Sequence, residues 1–264
     1  MSQQPIRFTD GAAYERAMGP WSQLVGEVFL DWLTPQPGLR WIDIGCGNGA
    51  FTELLVQRCA PAETQGVDPS DAQIAFARTR SVARDATFLP GDAMALPFDA
   101  GRFDAAVMAL VLFFVPEPAK GIAEMTRVVC PGGTVAAYVW DIFGDGNPTS
   151  PIQAELLDFG VRLPLPPSAD ASRMEVLRTL WTNAGLEAVE TREITVRRTF
   201  SGFDDFWRSA TAFPTSGPAI AAMAPTDIEK LKARLRERLR ADASGHIAYP
   251  ARANAVKGCV PKSQ

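Results

Sequence analysis

The residues of this sequence that are best suited to bind a ligand are a cluster of three glycines and the acidic residues near it. Gly45, Gly47 and Gly49 follow an apolar, β-prone run that ends at Ile44, and a helical pattern begins directly after them. Because glycine has no Cβ, the backbone can turn through positive φ and a ligand can lie against N–H groups at the start of the helix. The pattern predicts a strand, a tight turn and a helix that bind a small molecule.

Two classes of ligand use a turn of this kind. A dinucleotide site needs G-x-G-x-x-G/A and an acidic residue about 20 positions later, and Gly45, Gly47, Ala50 and Asp68 satisfy that pattern. Asp43, however, precedes the first glycine inside the apolar strand, where its carboxylate would repel a pyrophosphate. A carboxylate there suits an ammonium group, so a nicotinamide ligand and a cationic ligand both stay open at this point.

Asp68 is the second acidic residue with a predicted role. A short strand is predicted over 64–67, and Asp68 follows it, at the edge where open parallel sheets bind ligands. Its carboxylate can accept a hydrogen bond from each of the two hydroxyls of a ribose. The alternative is an aspartate that only caps the next helix or lies on the surface.

The glycine cluster with Asp43 resembles the first motif of class I S-adenosylmethionine-dependent methyltransferases, whose cofactor carries an amino-acid ammonium and a sulfonium. The resemblance is close over about residues 38–140, and the nearest group is the small-molecule methyltransferases related to ubiquinone and menaquinone biosynthesis enzymes. It implies an α/β, doubly wound, Rossmann-like sheet of seven strands, the last antiparallel, with helical lid insertions. It also implies S-adenosyl-L-methionine as the cofactor.

The resemblance assigns roles to residues at the ends of four strands. The segment after a third strand at 86–89 is similar to the family's adenine-binding loop, in which Asp92 would accept from the exocyclic amine and the Ala93 N–H would donate to a ring nitrogen. A backbone carbonyl at the end of the fourth strand would reach the ammonium. The cofactor-binding residues implied in this way are Asp43, Gly45, Cys46, Gly47, Gly49, Asp68, Pro69, Asp92, Ala93, Ala109 and Leu110. For Cys46, a small residue that fits the turn is the better interpretation.

The acceptor of the methyl group is inferred from aromatic residues near the expected site to be small and aromatic or otherwise apolar. Those residues are Phe113, Phe114, Trp140, Phe206 and Trp207. A general base is needed only if the acceptor must lose a proton, and Tyr14, Asp141 and His246 are weak candidates without a supporting constellation. Methyl transfer is the leading hypothesis. A NAD-dependent oxidoreductase and a non-catalytic cofactor-binding module are the alternatives.

The elements that position these residues follow from hydrophobic periodicity. Helices are predicted at 11–33, with a break at Gly19 and Pro20, and at 50–59, 117–129, 173–184 and over much of 201–245. Strands are predicted up to Ile44 and at 64–67, 86–89, 103–115, 134–140, 186–200 and 247–260. Residues 141–171 read as an irregular connection.

A single methyltransferase domain over 1–264 accounts for this pattern. Its parts are N-terminal helices at 1–37, a cofactor-binding core at 38–140, and substrate-lid segments at 141–172 and 201–245. The lid segments are expected to determine which acceptor binds, because proteins that share a fold differ in function through the residues of their sites. The expected partner is a small molecule, and a homodimer is left open.

Composition narrows the class of protein. The net charge of −4 and pI near 5.2 argue against a nucleic-acid binder, because no excess of cations is available to neutralise phosphates. The N-terminus has no apolar segment of signal-peptide length, so we expect a cytoplasmic protein. Four cysteines without C-x-x-C spacing and a single histidine suggest no metal site.

One helical stretch raises the question of membrane contact. Residues 227–242 place a narrow apolar stripe beside several lysines and arginines, and a basic amphipathic helix can lie on a membrane surface. Acidic residues are mixed among the basic ones, which is more typical of an ordinary solvated helix. We therefore expect no membrane contact.

Overall fold

The computed structural model describes the backbone of residues 11–262 and the side chains of residues 17–262. The helices of this part of the chain are α1 (Gly11–Leu33), α2 (Ala50–Cys59), α3 (Asp71–Ala77), α4 (Pro118–Val128), α5 (Ser150–Asp158), α6 (Met174–Asn183), α7 (Phe203–Thr211), α8 (Ser216–Ala221) and α9 (Pro225–Arg238). Its strands are β1 (Arg40–Ile44), β2 (Glu63–Asp68), β3 (Thr87–Pro90), β4 (Phe103–Ala109), β5 (Val129–Trp140), β6 (Glu187–Phe200) and β7 (Ile247–Cys259).

The strands of residues 11–262 form one seven-stranded sheet in the order β3-β2-β1-β4-β5-β7-β6. Strands β1 to β5 run parallel, whereas β7 is antiparallel to both β5 and β6. The predicted doubly wound, Rossmann-like sheet with an antiparallel last strand is confirmed. The strand order reverses at β1 and β4, and open α/β sheets bind ligands at such a switch point, beyond the carboxyl ends of the strands.

The central strand β4 is shorter than the sequence suggests. Residues 105–108 are buried, as expected for a parallel strand covered on both faces. The predicted strand over 103–115 is wrong beyond Ala109, because Leu110 takes a φ of 63° and turns the chain out of the sheet. Its N–H still donates to the Tyr138 carbonyl at 2.8 Å. A 3-10 turn over Leu112–Phe114 follows.

Helix α1 is continuous, so the break predicted at Gly19 and Pro20 is wrong. Trp21, Val25 and Phe29 recur at four-residue spacing and are completely buried. Burying side chains of this size contributes about 1.5–3 kcal/mol each, which outweighs the cost of one proline inside a helix, about 3 kcal/mol. Residues 11–33 therefore form one uninterrupted helix.

The two segments predicted to form lids differ from the prediction in opposite directions: 141–171 is more ordered, whereas the helix expected over 227–242 is shorter. Residues 141–171, expected to be irregular, contain α5. The helix expected over 227–242 ends at Arg238, where α9 stops. Cations of α9 contact the protein itself: the Arg236 guanidinium lies 4.1 Å from the Phe203 ring centre, and Arg234 Nε donates to Glu155 at 2.6 Å. Across residues 11–262, every helix is too short or too polar to span a bilayer.

Candidate active site

The predicted functional residues at the ends of β1, β2, β3 and β4 share one edge of the sheet. In the strand register Ile44 lies beside Val67, and Asp68 lies beside Pro90. A side chain added at Gly45 would come within 2.5 Å of the Val111 methyl groups, so the turn after β1 touches the turn after β4. We call residues 45–49 the glycine turn and the edge it shares with β2, β3 and β4 the crevice.

The backbone N–H groups of the glycine turn are occupied within the protein. Gly45 N and Cys46 N donate to the Val67 carbonyl at 2.7 and 3.0 Å, and Gly49 N donates to the Cys46 carbonyl at 2.9 Å. Gly47 N donates to Asp68 Oδ2 at 2.9 Å. The expectation that a ligand lies against bare N–H groups is therefore wrong for these four. The Asp68 carboxylate already accepts the Gly47 hydrogen bond that the pyrophosphate of a dinucleotide would need. This arrangement argues against a dinucleotide ligand.

Only one of the three glycines leaves room for a ligand. A Cβ at Gly47, whose φ is 52°, would meet no atom within 4 Å. A Cβ at Gly49 would instead meet Ala77 and Phe88 at 3.2 Å, so Gly49 serves packing of α2 against α3 and β3 and does not face the crevice. Cys46 is buried in a small cluster with Ala77 and Phe88, two of the residues that a Cβ at Gly49 would meet. The predicted part of Gly49 and Cys46 in cofactor binding stays a prediction.

Asp43 is a completely buried carboxylate behind the glycine turn. Thr52 Oγ1 donates to its Oδ2 at 2.6 Å, whereas Oδ1 has no hydrogen-bond partner among the described residues. Burial raises the pKa of Asp43 to about 7; the Thr52 hydrogen bond opposes this shift and the nearby Asp68 adds to it. A buried polar atom without a partner requires an explanation, and an approaching cation supplies one.

Asp68 lies at the edge of the crevice with both oxygens anchored. Oδ2 accepts from Gly47 N and Oδ1 accepts from Ser70 N, both at 2.9 Å. Burial raises its pKa, and these two backbone hydrogen bonds oppose the shift. Each oxygen of a carboxylate has two lone pairs, so each can accept one further hydrogen bond. This geometry suits a diol, and Pro69 lies exposed next to it.

Asp92 follows β3 at the same edge. Its Oδ1 accepts from Met94 N at 2.8 Å, and its backbone pairs with Ala95 in an isolated bridge. The side chain is otherwise exposed and Ala93 is partly exposed beside it. A carboxylate and a main-chain N–H presented side by side are complementary to the donor and acceptor edge of adenine.

An apolar cavity adjoins the crevice and holds about 680 Å³ of empty space, part of it continuous with solvent. It is lined by Met18, Leu110, Phe113, Phe114, Trp140, Ile142, Asn147, Thr149, Gln153, Pro164, Leu165, Pro166, Phe213, Pro214 and Thr215. Leu110 belongs to both regions, because it follows β4 directly. Three predicted acceptor residues, Phe113, Phe114 and Trp140, therefore lie on the cavity wall.

The other two predicted acceptor residues lie elsewhere. Phe206 is 1% exposed and packs at 5.7 Å from the Phe200 ring and 5.9 Å from the Tyr249 ring. Trp207 stacks on Phe203 with ring centres 6.2 Å apart, and Lys232 Nζ lies 5.3 Å from its ring centre. Their placement on the cavity wall is wrong, because α7 turns these rings toward an aromatic cluster and toward α9.

The three candidate bases differ in their surroundings. Asp141 is tied to Arg252, whose Nε and Nη2 donate to its Oδ2 at 3.0 and 2.7 Å, so it is engaged in holding β7. His246 is exposed in the turn before β7, where its backbone N donates to Asp242. Tyr14 falls within α1, but its side chain lies outside the described residues. Neither described candidate lines the cavity.

Several cavity residues were not predicted individually, although four of the five named next lie in the predicted lid segments at 141–172 and 201–245. Met18, Asn147, Thr149, Gln153 and Phe213 come from α1, from the segment around α5, and from the turn after α7. Each lies in a stretch with an ordinary packing or turn pattern. No local signal separates them, because the cavity exists only where these distant segments meet.

Residues 42–137 match the methyltransferase domain family. A demethylmenaquinone methyltransferase of Thermus thermophilus is 36% identical over 96 residues, which is 36% of this chain and 44% of that protein. The chain spans under half the length of the first curated relatives it matches. The match falls on the core that carries the glycine turn, Asp68 and Asp92.

Solved structures share the fold over a longer range. Phosphoethanolamine N-methyltransferase 2 of Haemonchus contortus, in complex with S-adenosyl-L-methionine, has a TM-score of 0.58 at 18% identity and covers 96% of this chain and 57% of that one. The [4+2]-cyclase SpnF has a TM-score of 0.56 at 22% identity and covers 100% and 88%. At such identities the likeness concerns the fold. The resemblance to class I methyltransferases stated from the sequence is confirmed, and the reaction must be argued from the site.

Proposed function

We propose that this chain, whose residues 42–137 belong to the methyltransferase domain family, transfers a methyl group from S-adenosylmethionine to a small, uncharged, largely apolar acceptor. One observation carries the proposal: a crevice lined by Asp68 and Asp92, with Asp43 buried behind its glycine turn, lies beside an apolar cavity, and Leu110 is common to both. The crevice suits a cationic nucleoside. The cavity suits a molecule without charge.

The crevice residues divide the work of holding the cofactor. Asp43 supplies a negative charge behind the glycine turn, and its unpaired Oδ1 favours an ammonium group nearby. Asp68, fixed by Gly47 and Ser70, accepts from the ribose hydroxyls. Asp92 and the Ala93 N–H are presented to the adenine. When bound, S-adenosylmethionine supplies an activated methyl group.

The cavity residues orient the acceptor and exclude water. A displacement at an activated methyl group leaves little covalent work for the protein, so holding the acceptor about 3–3.5 Å from the methyl carbon supplies most of the effect. Phe113, Phe114 and Trp140 make that wall rigid, the two phenylalanine rings touching edge to face at 4.5 Å between centres. A dry wall also favours a reaction in which charge disperses.

The lining of the cavity favours an uncharged acceptor. The cavity residues named above include neither an acidic nor a basic side chain, and an unpaired charge is costly to bury. The Thermus relative is named for demethylmenaquinone, an acceptor with an apolar body, whereas the Haemonchus enzyme is named for phosphoethanolamine, which is charged. The cavity composition supports the first type.

Calorimetry with S-adenosylhomocysteine and NADH tests the donor side. We expect S-adenosylhomocysteine to bind and NADH not to bind, because Asp68 already occupies the Gly47 N–H that a pyrophosphate would need. Binding of NADH alone to the folded protein would favour the oxidoreductase alternative and sink the proposal.

Label transfer from methyl-labelled S-adenosylmethionine tests the acceptor side. We expect labelled product with demethylated quinols and none with phosphoethanolamine or histamine at the same concentration. Tight S-adenosylhomocysteine binding without turnover on either group would instead support a non-catalytic cofactor-binding module. Product from the charged amines alone would contradict the proposed acceptor class.

The location and assembly inferred from the sequence stay predictions. We expect the chain in the cytoplasmic fraction of its cells, and a homodimer is open to a direct test by light scattering. Described residues from α1, from the segment around α5 and from the turn after α7 all line the cavity.

A further inference from the structure

One part of the cavity wall is polar. Asn147, Thr149 and Gln153 lie together at the entry to α5, among aliphatic, aromatic and proline side chains. Thr149 N and Thr149 Oγ1 both donate to Asn147 Oδ1 at 3.0 Å, and Gln153 Nε2 donates to Thr149 Oγ1 at 2.9 Å. Thr149 is 4% exposed, so the connection between the two amides is buried.

The direction of each hydrogen bond among Asn147, Thr149 and Gln153 follows from one backbone group. A backbone N–H can only donate, so the Asn147 atom that faces Thr149 N is the oxygen. The Thr149 hydroxyl also donates to that oxygen and must therefore accept from Gln153, which presents its nitrogen. The hydrogen-bonding groups that remain are two N–H donors of Asn147, one N–H donor of Gln153 and the Gln153 oxygen. None of them has a partner in the described part of the chain.

The loop that carries Asn147 is held in place from behind. Gly146 N donates to the Asp141 carbonyl at 2.9 Å, and Arg252 N donates to the Gly146 carbonyl at 2.8 Å. Tyr249 Oη donates to the Pro148 carbonyl at 2.8 Å. Polar groups held in place in this way lose little conformational entropy when a ligand binds. They therefore discriminate well between ligands.

The geometry points to Asn147 and Gln153 as the residues that orient the acceptor, by donating hydrogen bonds to an uncharged oxygen, a carbonyl or ether, at one end of its apolar body. Asn147 and Gln153 leave three N–H donors and one acceptor for the ligand. They therefore favour a ligand group that only accepts hydrogen bonds, such as a carbonyl or ether oxygen, over one that donates them, such as a hydroxyl or an amine. The absence of a cation among the fifteen cavity residues named above disfavours a carboxylate. This inference rests on the proposed function for the role of the cavity as acceptor site.

Three probes with one naphthalene body separate the possibilities. They are 2-acetonaphthone, 2-naphthoate and 2-(aminomethyl)naphthalene, titrated by calorimetry into the 264-residue chain with and without S-adenosylhomocysteine. We expect the ketone to bind at least about tenfold more tightly than either charged probe, because each charged group would be buried without a counter-ion.

Asn147→Asp is the decisive variant. It keeps the oxygen that accepts from Thr149 and replaces the two donors by a second carboxylate oxygen, so the ketone should bind about tenfold more weakly and the amine more tightly than in the wild type. Asn183→Asp, the same change at an exposed position at the end of α6, should alter neither affinity. A merely structural role of Asn147 would not exchange the order of the probes.

The outcomes separate this inference from the proposed function. An unchanged probe order in Asn147→Asp, or a wild type that binds none of the probes, overturns the role of Asn147 even when S-adenosylhomocysteine binds normally. Failure of S-adenosylhomocysteine to bind overturns the proposed function and, with it, the cavity's role as acceptor site. Exchange of the probe order with unchanged S-adenosylhomocysteine affinity supports both.

Discussion

The crevice and the cavity are built by different means. The crevice is made of short turns that follow directly on strands, and its N–H groups and carboxylates are tied to each other over a few residues or to the next strand. The cavity is made of side chains from α1, the segment around α5 and the turn after α7, which are remote in the sequence. One region is fixed by backbone geometry, and the other by how whole elements pack.

This difference separates what the two regions can vary. The spacing of the crevice follows from strand pairing, so its ligand must keep one shape and one charge pattern. The cavity wall changes whenever a helix shifts or a side chain is replaced, while the sheet beneath it stays intact. A conserved type of donor and a variable acceptor are the expected result.

Asp43→Asn should give the largest effect, on stability. The pKa of Asp43 is raised from 3.8 to about 7 in the folded chain, so the native state holds this proton more tightly than the unfolded state. Its contribution to stability is present below pH 4 and is lost as the pH rises through 7, by up to about 4 kcal/mol. The neutral asparagine can still accept from Thr52 and should remove this loss.

Urea unfolding at pH 5 and pH 8 measures the effect. The free energy of unfolding of Asp43→Asn should exceed that of the wild type by more at pH 8 than at pH 5. Cavity variants such as Asn147→Asp should not change this difference in the same way. An identical pH dependence of wild type and Asp43→Asn would show that the crevice contains no such buried charge.

Asp68→Ala should weaken S-adenosylhomocysteine binding by about a hundredfold, or about 3 kcal/mol. The change removes a charged acceptor and releases the N–H groups of Gly47 and Ser70, and hydrogen bonds to charged groups contribute about 1.5–3 kcal/mol each. Asp71→Ala, an exposed aspartate at the start of α3, is the control and should bind normally. Affinity for the naphthalene ketone should be unchanged in both, and a loss there would mean that the two regions are not independent.

Gly47→Ala and Gly160→Ala form a matched pair. Both glycines have positive φ, and a Cβ at either would meet no atom within 4 Å, so both changes should destabilise the fold by about 1 kcal/mol. Only the methyl group at position 47 enters the crevice, and it should weaken S-adenosylhomocysteine binding by about tenfold. Equal ligand affinity of the two variants, measured by calorimetry, would place the ligand away from the glycine turn.

Arg252→Gln should have the smallest effect and should act on the cavity alone. Arg252 Nη2 donates to Asp141 Oδ2 at 2.7 Å and to the Gly144 carbonyl at 2.6 Å, and losing a partly exposed pair of this kind costs about 1 kcal/mol. Amide hydrogen exchange should speed up over 142–149 and not over 45–49. Arg197→Gln, on the exposed side of β6, is the control, and equal exchange in both variants would contradict the assigned support.

The sequence predicts most of the crevice, and the reason is physical. Glycines at positive φ, an aspartate at a strand end and a buried central strand each leave a signal within a few residues. Local reasoning failed there in two ways: the φ of Leu110 ends β4 early, and acceptors of Val67 and Asp68 occupy N–H groups that were expected to be bare.

The cavity could be predicted only in part. Phe113, Phe114 and Trp140 were found because they lie at or shortly after the ends of strands whose place in the sheet was predicted. Phe206 was misplaced because an aromatic residue on an amphipathic helix has the same pattern whether it faces a cavity or another ring. Met18 and Phe213 meet only after α1 and α7 have packed.

The burial of Cys46 has a consequence for the methyl transfer proposed above. Burial raises the pKa of its thiol, with Asp43 and Asp68 adding to the shift, and its sulfur lies against Phe88. A sulfur anion beside an electrophilic methyl group would compete with the true nucleophile and be modified irreversibly. Under the proposed methyl transfer, this buried and protonated thiol would therefore be a poor competitor for the methyl group.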